Sequence, residues 1–154
     1  MKKLIISRIP AAAIIMALLC SCTQNNGHIG KLFGTWVLTQ RLADGEAMSS
    51  PYSDNTEAYM SFQNNIVHFR TIEDSYNLTE YKTATWSRTG DALSFDFNNT
   101  SDSNTPQVYS APAWLEPVGN SAVMTINRLD GSHLELMRTA DDGIIYIYKF
   151  DKTW

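Results

Sequence analysis

Cysteine is nearly missing from this chain. The two it has, Cys20 and Cys22, fall within the first 22 residues. Nothing later can supply a disulfide framework or a thiol nucleophile. Histidine is scarce as well: His28, His68 and His133 stand far apart, and none has a second histidine or a cysteine at ligand spacing. A metal centre built from clustered ligands is therefore not expected. No G-x-S-x-G run occurs, which removes the nucleophile-elbow route to serine hydrolysis. The adjacent acids Glu73-Asp74 and Asp141-Asp142 lie in turn-like stretches where carboxylates are solvated. Neighbouring strand residues also point to opposite faces, so paired acid–base work is not expected of them. The expectation is a protein that is not an enzyme and carries no cofactor and no metal.

Basic charge is also in short supply, with 12 Lys and Arg against 16 Asp and Glu. Three of the basic residues, Lys2, Lys3 and Arg8, precede an apolar run over residues 11–19. That run falls short of the ~20 residues of a membrane span. A basic start, a short apolar run and small residues near a cut site read as a secretory signal. Leu19-Cys20-Ser21-Cys22 resembles a bacterial lipobox. Cys20 is a poor lipid acceptor because Leu19 before it is too large, whereas Ser21 suits Cys22. Residues 1–21 are thus expected to be a lipoprotein-type signal, Cys22 the lipidated residue and 22–30 a polar tether. Loss of the signal leaves 133 residues with 9 basic and 16 acidic side chains, a net charge of −7. This size suits one domain held by core packing, and a nucleic-acid partner is excluded by the charge. The lipid would anchor the domain to the outer membrane of a bacterial envelope. The absence of an acidic cluster after Cys22 favours a periplasm-facing position over a surface-exposed one.

Helical periodicity is absent beyond the signal. Strand-like runs take its place, at residues 32–42, 57–63, 66–72, 80–88, 92–97, 122–129, 133–138 and 144–150. Leu93, Phe95 and Phe97 alternate with Ser94 and Asp96 in the cleanest period of two. Turn chemistry separates the runs: Asn64-Asn65, Thr89-Gly90-Asp91, Asp130-Gly131 and Asp142-Gly143. Residues 46–56 form a long polar loop. The proline-broken stretch 106–117 reads as an edge strand or an extended covering segment. Short turns between successive strands predict an all-β fold, an antiparallel up-and-down barrel of about 8–9 strands over 31–154.

Two groups of residues stand out. Gly34-Thr35-Trp36 opens the first strand. Gly34 shares a face with Trp36 and leaves a gap beside an indole able to close one barrel end. Ala58, Met60, Phe62, Trp86, Leu93, Phe95, Met124 and Ile126 are placed to face one apolar interior. They fit a filled core and a ligand wall equally, with Met60, Phe62, Trp86, Phe95 and Met124 the wall candidates. Tyr109 and Trp114 lie in or near the proline-broken stretch. They are candidates for a cap on the barrel mouth or a partner contact, and packing of that loop onto the body accounts for them as well.

With Gly34-Thr35-Trp36, the hairpin residues Gly90-Asp91-Ala92-Leu93-Ser94-Phe95 and the late Leu134-Glu135-Leu136, the chain resembles the lipocalin-like lipoproteins of Bacteroidetes cell envelopes, within the calycin group. The likeness runs over residues 30–150. It implies that Trp36 plugs the closed end and that a basic residue from a late strand lies across it. Arg138 is the match, sharing a face with Leu134 and Leu136, and Lys149 is the alternative. It also implies that the loop after the first strand covers an open mouth. Two functions are expected on this basis: a carrier of a small apolar or amphipathic ligand, or a non-enzymatic interaction subunit of an envelope protein assembly. An exposed apolar patch around Trp114 would favour the second.

Overall fold

The computed structural model describes residues 27–98, 110–115 and 119–154. The expected signal, the lipid acceptor Cys22 and the candidate Tyr109 lie outside the described residues.

A short 3-10 segment, Gly27–Leu32, leads into nine strands: β1 (Gly34–Ala43), β2 (Glu46–Ala47), β3 (Thr56–Gln63), β4 (Ile66–Glu73), β5 (Asn77–Thr89), β6 (Ala92–Asp96), β7 (Ser121–Leu129), β8 (His133–Thr139) and β9 (Ile145–Lys152). Each of β3 to β9 pairs with the strand next to it in the chain. β1 pairs with β3 on one side and with β9 on the other, which closes the sheet on itself. Eight strands make the barrel. β2 is an addition of two residues beside the far half of β1, where Leu42 faces Ala47. All pairings are antiparallel, as hairpin connections require.

Local chemistry accounts for the strand boundaries. Asn64 takes φ 51° in the β3–β4 turn, and Asp44 and Gly45 take φ 49° and 86° after β1. Asparagine, aspartate and glycine tolerate these left-handed values, so hairpins nucleate there. Between turns the period of two is kept. On β7, Ala122, Met124 and Ile126 are buried while the residues between them are exposed. Burial of each large apolar side chain contributes roughly 1.5–3 kcal/mol.

One irregularity changes which side chains reach the interior. The β1–β9 register slips between Leu38 and Gln40, so that Leu38 faces Phe150 and Arg41 faces Tyr148. Phe150 and Tyr148 share a face of β9 and are both buried. Leu38 and Arg41 therefore share the inward face although they are three residues apart, because a bulge adds a residue and re-aims the side chains beyond it.

The stretch expected as an edge strand or covering segment is described over 110–115. It joins no strand there. Instead it turns inward, and Trp114 is 1% exposed.

Candidate functional site

The closed end is built first by the chain. Trp36 has no exposed surface, and its indole N–H donates to the Leu32 carbonyl oxygen at 2.9 Å. Leu32 and Ile29, from the 3-10 segment, are buried in the same core. The cation over the indole is neither Arg138 nor Lys149. Lys152 lies there, with Nζ 4.9 Å from the Trp36 ring centroid. Register explains the difference: Trp36 faces Lys152 on β9, whereas Lys149 faces Gln40. Arg138 faces Tyr146, which in turn faces Ala43 at the far end of β1. Lys152 Nζ also donates to the Lys31 carbonyl oxygen at 3.2 Å, and burial lowers its pKa.

Gly34 has a different role from the one expected. Its φ is +120°, and a Cβ there would collide with the Trp154 carbonyl oxygen and come within 2.7 Å of Lys152 Cε. The space beside the indole is taken by the C-terminal backbone and by the lysine stem that reaches over the ring. Thr35 N–H donates to that Trp154 carbonyl oxygen at 2.9 Å, which ties the last residues to β1.

Above this base the barrel is packed with rings. Phe62 meets Trp86 at 5.3 Å and Phe95 at 6.3 Å between centroids. Phe69 meets Phe95 at 5.6 Å and Phe97 at 5.4 Å. Trp114 completes the crossing, 5.8 Å from Phe69 on one side and 5.7 Å from Phe150 on the other. The five wall candidates Met60, Phe62, Trp86, Phe95 and Met124 all belong to this buried core.

A cavity of about 240 Å³ sits at the other end of the barrel, and none of those five residues lines it. Leu38 to Arg41 of β1, Ala47, the loop residues Met48, Ser50, Pro51 and Tyr52, Thr56 and Ala58 of β3, and Trp114 form its lining. The long loop after β1 thus supplies much of the wall. Trp114 forms its floor side and is buried there, rather than contributing to an exposed patch. Arg41 was not singled out by sequence reasoning, which places it on the outer face by simple alternation from Trp36 and Leu38. The bulge turns it inward, to 6% exposure, and its Nη1 donates to the Ser49 carbonyl oxygen at 3.1 Å.

A polar chain holds the Trp114 segment in place. Tyr52 Oη donates to Glu80 Oε2 at 2.9 Å, and Thr71 Oγ1 donates to the same oxygen at 3.2 Å. Glu80 Oε1 is 2.8 Å from Lys82 Nζ, which donates onward to the Ala111 carbonyl oxygen at 2.9 Å and to Ser110 Oγ at 3.0 Å. Burial pushes the Tyr52 phenol up to about 12, and Glu80 adds to the rise. Tyr52 is a neutral donor at physiological pH.

His68 and His133 lie elsewhere. His68 stacks on Tyr81 with centroids 5.5 Å apart, and His133 sits in an exposed cluster with Asp130 and Arg128.

A closed antiparallel barrel stoppered by a tryptophan at one end and hollowed at the other is a binding-type scaffold. A family model described as a lipocalin-like domain matches residues 17–150, and the chain belongs to that family. Among solved structures, a lipocalin-like protein from Bacteroides uniformis ATCC 8492 is similar, with a TM-score of 0.51 and 18% sequence identity. The match covers 78% of this chain and 98% of that one. Likeness at this identity speaks for the fold. A comparison with curated proteins found no match.

Proposed function

We propose that this protein is a bacterial cell-envelope lipoprotein, anchored through Cys22, that holds a small apolar or amphipathic ligand at the mouth of its barrel and does no chemistry on it. The observation that supports the reading is the 240 Å³ cavity, walled by Leu38, Met48, Pro51, Ala58 and Trp114 on its apolar side. A cavity of ~150 Å³ takes benzene, so this one suits a guest of about ten non-hydrogen atoms. The ligand sits in the mouth and not in the barrel centre, because aromatic rings fill the centre. The anchor holds the domain at the outer membrane, facing the periplasm.

Native mass spectrometry of the protein purified from its own host tests binding: a mass excess that is lost on denaturation is expected. A bare polypeptide mass, together with no uptake of any small amphiphile, overturns the carrier reading. Cys22→Ala tests the anchor, and should release the protein from the membrane fraction. The alternative of an interaction subunit loses its specific support, since Trp114 is buried.

A further inference from the structure

We infer that the closed base of the barrel is the face this protein seats on the bilayer, with Trp154 as the ring at the lipid interface and the mouth turned away from it. The inference rests on the Cys22 anchor reading and adds to it which surface meets the lipid.

Tether length is the first reason. The segment Gly27–Leu32 packs at the base, where the Leu32 carbonyl oxygen accepts the Trp36 indole N–H. Only four residues separate Cys22 from Gly27, so their Cα atoms lie no more than ~18 Å apart even at full extension. β1 has 10 residues, and a strand of that length, tilted as barrel strands are, rises roughly 25 Å. A lipid on Cys22 therefore holds the base against the membrane, and not the mouth.

The same end presents an aromatic ring. Trp154 is 69% exposed, whereas Trp36, Trp86 and Trp114 are buried. Its ring leans on Phe33 with centroids 5.7 Å apart, and its carbonyl oxygen accepts the Thr35 N–H. Chain and ring are thus held in place with most of the indole left in water. At a bilayer surface the apolar body of such a ring enters the lipid while its N–H stays among the headgroups.

Charge is divided between the ends in the matching sense. The base segments 27–33, 63–66, 88–92, 128–133 and 151–154 carry Lys31, Arg88, Arg128 and Lys152 against Asp91, Asp130 and Asp151. The mouth segments 43–56, 73–77 and 139–145 hold seven acidic residues, Asp44 and Asp142 among them, and no lysine or arginine. Lys31, Arg88 and Arg128 share one open hollow with Asp91. Arg88 lies 3.9 Å from Asp91 and Arg128 2.7 Å from Asp130. A guanidinium has more donors than one carboxylate uses, so each arginine can keep its partner and still meet a lipid phosphate. Near a layer of phosphates the acidic mouth is repelled and the base is not, over the ~8–10 Å that salt leaves unscreened.

The test uses the mature chain, purified with its lipid from its own host and reconstituted into vesicles of phosphatidylethanolamine and phosphatidylglycerol. Part of the lipid is brominated on its acyl chains. Brominated lipid is expected to quench the long-wavelength tryptophan emission, which comes from exposed Trp154. Acrylamide in the water should quench that emission several-fold less than it does in the unlipidated Cys22→Ala protein. Trp154→Phe should abolish both effects while the buried tryptophans still report a folded barrel. A fluorophore on Asp142→Cys, at a mouth turn, should stay open to acrylamide and untouched by bromine.

Wild-type Trp154 as open to acrylamide on vesicles as in solution, or bromine quenching of the mouth label in its place, overturns the base assignment and leaves the anchor reading standing. A purified chain with no lipid mass on Cys22 overturns the anchor reading, and the base assignment with it. The wild-type measurement needs no variant, so it decides the orientation even where a substituted chain does not fold.

Discussion

The two ends of this barrel are closed by tryptophans in opposite ways. At the base, Trp36 rides on a regular strand, its N–H meets the Leu32 carbonyl oxygen and its face meets Lys152. At the mouth, Trp114 comes from a segment outside the sheet, and its N–H meets no partner among the described residues. Both rings are buried. The base spends its polar groups on itself, as a structural stopper should. The mouth keeps a cavity and an indole N–H without a partner among the described residues, features that cost stability and are held in place by the surrounding fold. Equal burial therefore does not imply equal purpose.

Substitution at each ring separates the two roles. Trp36→Ala should destabilise the protein by ~3–5 kcal/mol in urea unfolding, because the closed end cannot collapse around the void. A loss well under 1 kcal/mol would mean that the indole is no stopper. Trp114→Ala should cost less, about 2–3 kcal/mol, since the ring already borders an open cavity and the transfer contribution is only partly lost. The same change should admit longer amphiphiles, measured by titration with a chain-length series. A cost equal to that of Trp36→Ala, with no gain in the longest guest bound, would erase the contrast between the ends.

Lys152→Met keeps most of the stem over Trp36 and removes the charge. A loss of ~0.5–2 kcal/mol is expected, the range for a cation on an indole face. Arg138→Met should not mimic it, because Arg138 lies toward the other end of the barrel. Comparable losses from the two would contradict the register described for β9.

The smallest effect expected is one of pH, on the outer wall, where His68 faces Ser61 and Thr83 on the neighbouring strands. Burial, and then the nearby Arg70 charge, lower the His68 pKa from 6.5. The unfolded chain therefore binds a proton at His68 at a pH where the folded chain does not. In that window stability rises with pH. The contribution is full above 6.5 and is lost as the pH falls from there through the lower folded value. Thermal melts from pH 8 to 5 should show a decline that His68→Asn flattens; an identical decline in the variant would rule His68 out as its source.

Much of this architecture was legible in the residues. The eight long strands fall where period-two patterning and turn chemistry put them, within a few residues at each end. The two-residue β2 was missed because Glu46 and Ala47 carry no pattern. Trp36 was recognisable as the large ring opening the first strand beside Gly34, although the gap read beside the glycine is filled by the C-terminal backbone and the Lys152 stem. Lys152 was not, since choosing among the late cations requires knowing how β9 is staggered against β1. The residues proposed for a ligand wall lie in the buried core and none lines the cavity, since inwardness alone does not distinguish a filled core from a cavity.

What the chain determined unaided is its list of strands, its turns and its barrel class, because these depend on neighbours a few residues apart. What the assembled barrel decided is where the hollow lies and what lines it. One slipped register between Leu38 and Gln40 turned a charged residue inward, and one proline-flanked segment delivered Trp114 into the interior. Both outcomes depend on contacts between distant parts of the chain, where strand stagger and packing volume outweigh local preference.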